Sequence, residues 1–155
     1  MESHIYNVVI NWKNSRRGIM CSPELNEKNG VCIEVATPPE FPKGIEGIWS
    51  PEHLFVASVS SCLMTTFLAI AENSTLEFES FSCQAEGKLE MVEGKLMMSE
   101  ILLKPTVVIH NEVYIDKATR ILKKAENACL ITHSIKSKVT MEITVKVKPI
   151  LIEGE

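Results

Sequence analysis

Along this chain, apolar positions alternate with polar ones in some stretches and recur at helical spacing in others. Residues 5–12 are rich in β-branched and aromatic side chains and predict a strand. Asn14-Ser15-Arg16-Arg17-Gly18 predicts a turn into a second short strand, and residues 31–36 alternate as a third. Pro38, Pro39, Pro42, Gly44 and Gly47 then mark a loop. Residues 54–71 carry no formal charge and predict a long helix. Ser50-Pro51-Glu52 opens it: serine caps, proline fits the first helical position, and glutamate meets the positive end of the helix dipole. Asn73-Ser74 is the expected stop.

The strand pattern returns over residues 76–110. Phe81, Cys83, Ala85, Gly87, Leu89 and Met91 share one side, and Glu93-Gly94 predicts a hairpin turn. Pro105 lies in the returning arm, which predicts an edge strand or a bulge there. Asp116 is the expected cap of a second helix, whose one face carries Ala118, Ile121, Leu122, Ala125 and Cys129. Residues 139–147 alternate as a single half-buried strand. This order of hairpins and helices predicts an α+β fold with antiparallel sheets, in one domain over residues 1–155.

Composition narrows the reading. Hydrophobic residues make up 45% of the chain and charged ones 23%, the balance of a globular domain. The net charge is −4 with no dense basic run, which argues against nucleic acid as a partner. The uncharged helix carries five hydroxyls (Ser58, Ser60, Ser61, Thr65, Thr66) and lacks flanking lysine or arginine. It is therefore read as a buried central helix, and no membrane partner is expected. Being apolar on nearly all sides, it exceeds what one sheet layer covers, so a homodimer is expected. The N-terminus shows no basic segment with a cleavage site, so no secretory signal is read and a cytoplasmic location with free thiols is expected. No paired Cys/His spacing supports a metal site, and no cofactor is implied.

The candidate chemistry lies in the sulfurs. Cys62 sits mid-helix in the most apolar stretch and either packs or acts as a nucleophile. Helix-dipole effects fade beyond the first turn, so a thiolate there calls for a cation. Lowering a thiol from about 8.5 to about 6.5 takes about 2.7 kcal/mol, roughly what one guanidinium at about 4 Å supplies. Arg16 and Arg17 lie at a turn, while Arg120 belongs to a charged helix face. Glu52 precedes Cys62 by about 15 Å of helix, beyond reach of that sulfur in its own chain. It compensates the helix dipole, holds an arginine, or approaches the cysteine of a second copy. Cys129 ends its helix at the negative pole, which makes it a poorer attacker and a better resolving thiol; core packing is the other reading. His133, four residues on, reads as a surface-loop residue, with a general base as the other reading. Cys21, Cys32 and Cys83 have no activating charge nearby in sequence and read as packing thiols.

Ser50-Pro51-Glu52-His53-Leu54-Phe55, followed by Ser61-Cys62, resembles the signature of the OsmC/Ohr family. Ala128-Cys129-Leu130-Ile131-Thr132-His133-Ser134 resembles its second-cysteine segment, with Leu130 where the family commonly has proline. The resemblance covers nearly the whole chain. It implies antiparallel sheets around a buried central helix in an intertwined homodimer, and thiol-dependent reduction of organic hydroperoxides. It implies Cys62 as attacker, Cys129 as disulfide partner, and Glu52 with Arg17 (Arg16 as the alternative) poising the thiolate. An external dithiol, for which a lipoyl group is the candidate, would reset the pair. Phe55, Met64, Phe67, Leu130 and Ile131 predict an apolar pocket that favours alkyl or lipid peroxides.

Overall fold

A computed structural model describes residues 1–26 and 30–151. The chain forms two units, Met1–Leu54 and Phe55–Glu155.

In the first unit, β1 (Val9–Asn14), β2 (Arg17–Cys21) and β3 (Ile33–Ala36) form an antiparallel sheet in the order β1-β2-β3. The first strand starts later than its apolar pattern suggests, because residues 5–8 pair with no strand among the described residues. The β1–β2 turn places Ser15 at φ 45°, and Trp12 Nε1 donates to the Ser15 carbonyl at 3.1 Å to close it. Gly18 follows because a Cβ there would lie 2.9 Å from the Asn11 carbonyl oxygen. A short helix, α1 (Pro23–Asn26), lies between β2 and β3. The proline-rich segment is a loop tied back by Ala36 N–H donating to the Trp49 carbonyl at 2.9 Å. Ser50 then caps α2 (Pro51–Asn73): its Oγ accepts from the His53 N–H at 3.3 Å and lies 2.8 Å from His53 Nδ1. This is a capping box with histidine in the position that glutamate or glutamine usually holds.

The second unit is built on a long hairpin, β4 (Ser80–Val92) and β5 (Lys95–Ile109). Its turn is the predicted one, with Glu93 at φ 48° and Gly94 at φ 77°, the backbone that a tight two-residue hairpin requires. Along α2, Val59, Leu63, Phe67 and Ala71 form an i, i+4 stripe that is fully buried. On α3 (Ile115–Ala128), Ala118, Ile121, Leu122 and Ala125 do the same. Both stripes pack on Ile101, Leu103, Val107 and Ile109, one face of β5. The Phe67 ring sits 5.3 Å from Phe78 and 5.0 Å from Phe81, centre to centre. Gly87 lets α2 approach: a Cβ there would come within 2.4 Å of Val56 Cγ2.

Several expectations are corrected. The last alternating segment is two strands, β6 (Lys138–Met141) and β7 (Thr144–Val147), and both run parallel to β5, so this sheet is mixed. Pro105 is neither on an edge nor at a bulge; it is fully buried mid-strand opposite Cys83, and the register shift falls at Lys88/Leu89. The sheet tolerates it for a local reason. Leu103 accepts from Glu142 N–H on the β6/β7 side, and alternate residues turn their backbone groups to the same side. The nitrogen of Pro105, which has no hydrogen to donate, therefore faces the break between β6 and β7.

Asp116 does not cap α3. Asn111 caps a 3₁₀ turn (Glu112–Tyr114) that leads into it, accepting from Val113 N–H at 3.0 Å, and Asp116 lies inside the first turn. The central helix is not buried all round: Ser61, Met64, Thr65, Leu68 and Ala69 face outward. By length and mean hydropathy (2.0 over its most apolar window) α2 could cross a membrane, but its Val59-to-Ala71 stripe is seated in the protein core.

Candidate functional site

Cys62 and Cys129, 67 positions apart in sequence, meet in the second unit. The α2 backbone presents Cys62 one position before the buried Leu63, so its sulfur lies at the margin of the core. Cys129 ends α3 with extended backbone (φ −66°, ψ 109°) and precedes the four-residue α4 (Leu130–His133). The peptide N–H groups of Leu130 and Ile131 lie near enough to the Cys62 sulfur to act on its charge. Burial pushes the Cys62 thiol up, but this is outweighed by donors to its thiolate: the Cys129 thiol, the Ile131 N–H, the Thr66 hydroxyl and the Leu130 N–H. The net direction is down from the usual 9.0. The Thr66 Oγ1 stands 4.0 Å from Cys62 Sγ.

Cys129 moves the opposite way. It is 1% exposed, and desolvation raises its thiol, with its donation to Cys62 raising it further. Thr132 pulls the other way, downward, through its side chain and its N–H. The two thiols are thus shifted in opposite directions, Cys62 down and Cys129 up. Donors from Cys129, Leu130 and Ile131, with Thr66 on α2 itself, lower Cys62 without an arginine among them, which departs from the expectation that a cation must act on a mid-helix thiol. What places these donors is the single extended residue Cys129 between α3 and α4, which no apolar pattern reveals.

Arg17 and Glu52 both lie in the first unit. They line a cavity of about 750 Å³ together with Trp12, Arg16, Gly18, Val35, Ala36 and Phe41. Arg17 is half-buried as the first residue of β2, whereas Arg16 is exposed in the turn before it. Glu52 Oε2 is buried with no hydrogen-bond partner, and no Arg17–Glu52 ion pair forms among the described residues. The bidentate clamp expected of Glu52 is therefore not closed here. Glu52 lines the same cavity as Arg16 and Arg17.

Other sulfur readings change. Cys21 and Cys32 are not packing thiols but a disulfide. The antiparallel β2–β3 ladder, Met20 opposite Ile33, makes them the next facing pair, something two isolated alternating segments do not disclose. Cys83 does pack beside the core, with burial raising its thiol. Of the residues expected to line an apolar pocket, Phe67 is fully buried in the aromatic core, while Met64 and Leu130 are exposed. His133 closes α4 rather than lying in a loop, and it is exposed. Arg120 is a solvent-facing charge.

A mixed α+β fold with a long central helix and a cysteine pair brought together from two helices defines a class of protein, and comparison agrees. Residues 44–144 match the family model of OsmC-like proteins, and the chain belongs to that family. It is 25% identical to the uncharacterized protein YmaD of Bacillus subtilis (strain 168) over 151 residues, 96% of this chain and 97% of that one. An OsmC-like protein of unknown function from Vibrio cholerae superposes with a TM-score of 0.80 at 25% identity, over 91% of this chain and 99% of that one. An organic hydroperoxide resistance protein from Legionella pneumophila shares the fold with a TM-score of 0.71 at 20% identity, over 95% and 100% of the two chains.

Proposed function

We propose that this protein is a thiol-dependent peroxidase that reduces organic hydroperoxides to alcohols through a Cys62–Cys129 cycle. The supporting observation is the opposed tuning of the two thiols, lowered at Cys62 and raised at Cys129. The Cys62 thiolate attacks the terminal peroxide oxygen, the O–O bond breaks, and the alkoxide leaves and takes up a proton as alcohol. Cys62 is left as a sulfenic acid. Cys129 gives up its proton, its sulfur attacks Cys62, water leaves, and a disulfide forms. An external dithiol, of the lipoyl kind, then restores both thiols by exchange. Arg17 is the cation proposed to orient the peroxide, with Glu52 holding its guanidinium, and the apolar lining of their cavity suits an alkyl substituent.

The working form is proposed to be a homodimer. Met64 and Leu68 on α2 are 38% and 40% exposed, and Leu89, Met91 and Leu96 extend an apolar face to the tip of the β4–β5 hairpin. A second copy would cover both surfaces. Sedimentation at micromolar concentration is expected to give a dimer.

The 750 Å³ cavity also favours a second reading, a non-enzymatic module that holds a small apolar ligand. Thiol titration of the native protein before and after one equivalent of cumene hydroperoxide separates the two. Loss of two thiols, absent in Cys62→Ser, is expected of the peroxidase; an unchanged count leaves the binding module.

A further inference from the structure

We propose that Cys21–Cys32 is a second redox couple, opened and closed by thiol–disulfide exchange, that latches the strand ladder forming the wall of the Arg17–Glu52 cavity. The β2–β3 ladder has four rungs: Arg17 opposite Ala36, Gly18 opposite Val35, Ile19 opposite Glu34, and Met20 opposite Ile33. The disulfide is the fifth. Its Cα atoms are 4.5 Å apart, the spacing of a directly facing antiparallel pair without mutual backbone hydrogen bonds. At the other end of the same ladder, the first two rungs contribute all four of their residues to the cavity wall. A ladder this short gains little from its own hydrogen bonds, so the covalent rung weighs heavily in whether β3 stays registered.

The latch is open to reagents. Cys32 is exposed and Cys21 half-exposed, unlike the buried Cys129. The thiolate of an external dithiol attacks Cys32 Sγ; the Sγ–Sγ bond breaks and Cys21 leaves as a thiolate that takes a proton from water. The reductant's second thiol, deprotonated, then attacks the mixed disulfide, freeing Cys32 and leaving the reductant as a disulfide. Two electrons pass to the protein, and an oxidised dithiol drives the same steps in reverse. A shift in the surrounding thiol balance thus reaches the residues around Arg17 without any chemistry at Cys62.

The test uses the full chain carrying Cys62→Ser and Trp49→Phe, so that peroxide turnover plays no part and Trp12, on the cavity wall, is the sole tryptophan. It is equilibrated in native buffers of reduced and oxidised dithiothreitol, then alkylated and mapped by peptide mass spectrometry. Cys21 and Cys32 are expected to appear together as one two-electron step. Amide exchange over residues 33–36 should accelerate roughly 100-fold in the reduced protein, the loss expected for opening a loop of this size. Trp12 emission should shift in step. Reduction only after unfolding, or reduction with exchange and emission unchanged, overturns the proposal. Cys21→Ser/Cys32→Ser in the same background should match the reduced protein and ignore the buffers; if it does not fold, the reduced parent decides alone.

Discussion

The two sulfur pairs of this molecule behave differently although all four residues are cysteine. Cys21 and Cys32 stand 11 positions apart on neighbouring strands and are joined. Cys62 and Cys129 come from the two helices that flank one core and remain free thiols. The first pair faces across a ladder whose register leaves it no choice but to meet. The second meets where α3 ends, and donors from that bend favour charge on Cys62 while burial disfavours it on Cys129. Reactivity here is a property of where each sulfur is held.

The largest effect should come from breaking the helical pair. Cys62→Ser is expected to bring peroxide consumption to background, whereas Cys129→Ser should allow one turnover and then accumulate sulfinic acid at Cys62, read by intact mass. The strand pair should instead report on stability. Cys21→Ser/Cys32→Ser is expected to lose about 2–3 kcal/mol in denaturant unfolding of the first unit, the cost of freeing its loop. Cys62→Ser should change stability by less than about 1 kcal/mol, because its sulfur lies at the core margin.

A finer comparison separates the two arginines. Arg17→Lys should lower kcat/KM for cumene hydroperoxide by about 10-fold, equivalent to about 1.4 kcal/mol, because an ammonium cannot reproduce the planar fork of a guanidinium. Arg16→Lys, at an exposed turn, should stay within about 2-fold. The smallest signal is the pH dependence of alkylation. Only the thiolate reacts, so Cys62, with its thiol lowered, should reach half-maximal iodoacetamide reactivity below pH 9.0, and Cys129, raised, above it. The reverse order would remove the basis for calling Cys62 the attacker.

Much of this arrangement was legible from residue order alone. Ser50-Pro51-Glu52 starts α2 where caps and dipole predict, and Glu93-Gly94 turns the hairpin. The apolar stripe of α3 appears because helical periodicity is a local property of sequence. Cys62 and Cys129 stood out for the same reason, each on a patterned helix. What the sequence could not settle was every feature set by a neighbour distant along the chain. Pro105 sits mid-sheet because the adjacent strand is interrupted beside it, and β6 and β7 run parallel to β5 because α3 carries the chain back across the sheet. The Cys21–Cys32 bond depends on a register between two strands, and the lowered Cys62 thiol depends on peptide N–H groups 68 and 69 positions further on. Alternation and helical spacing decide which face of an element is apolar; only packing decides which element that face meets, and with it the charge a sulfur can hold.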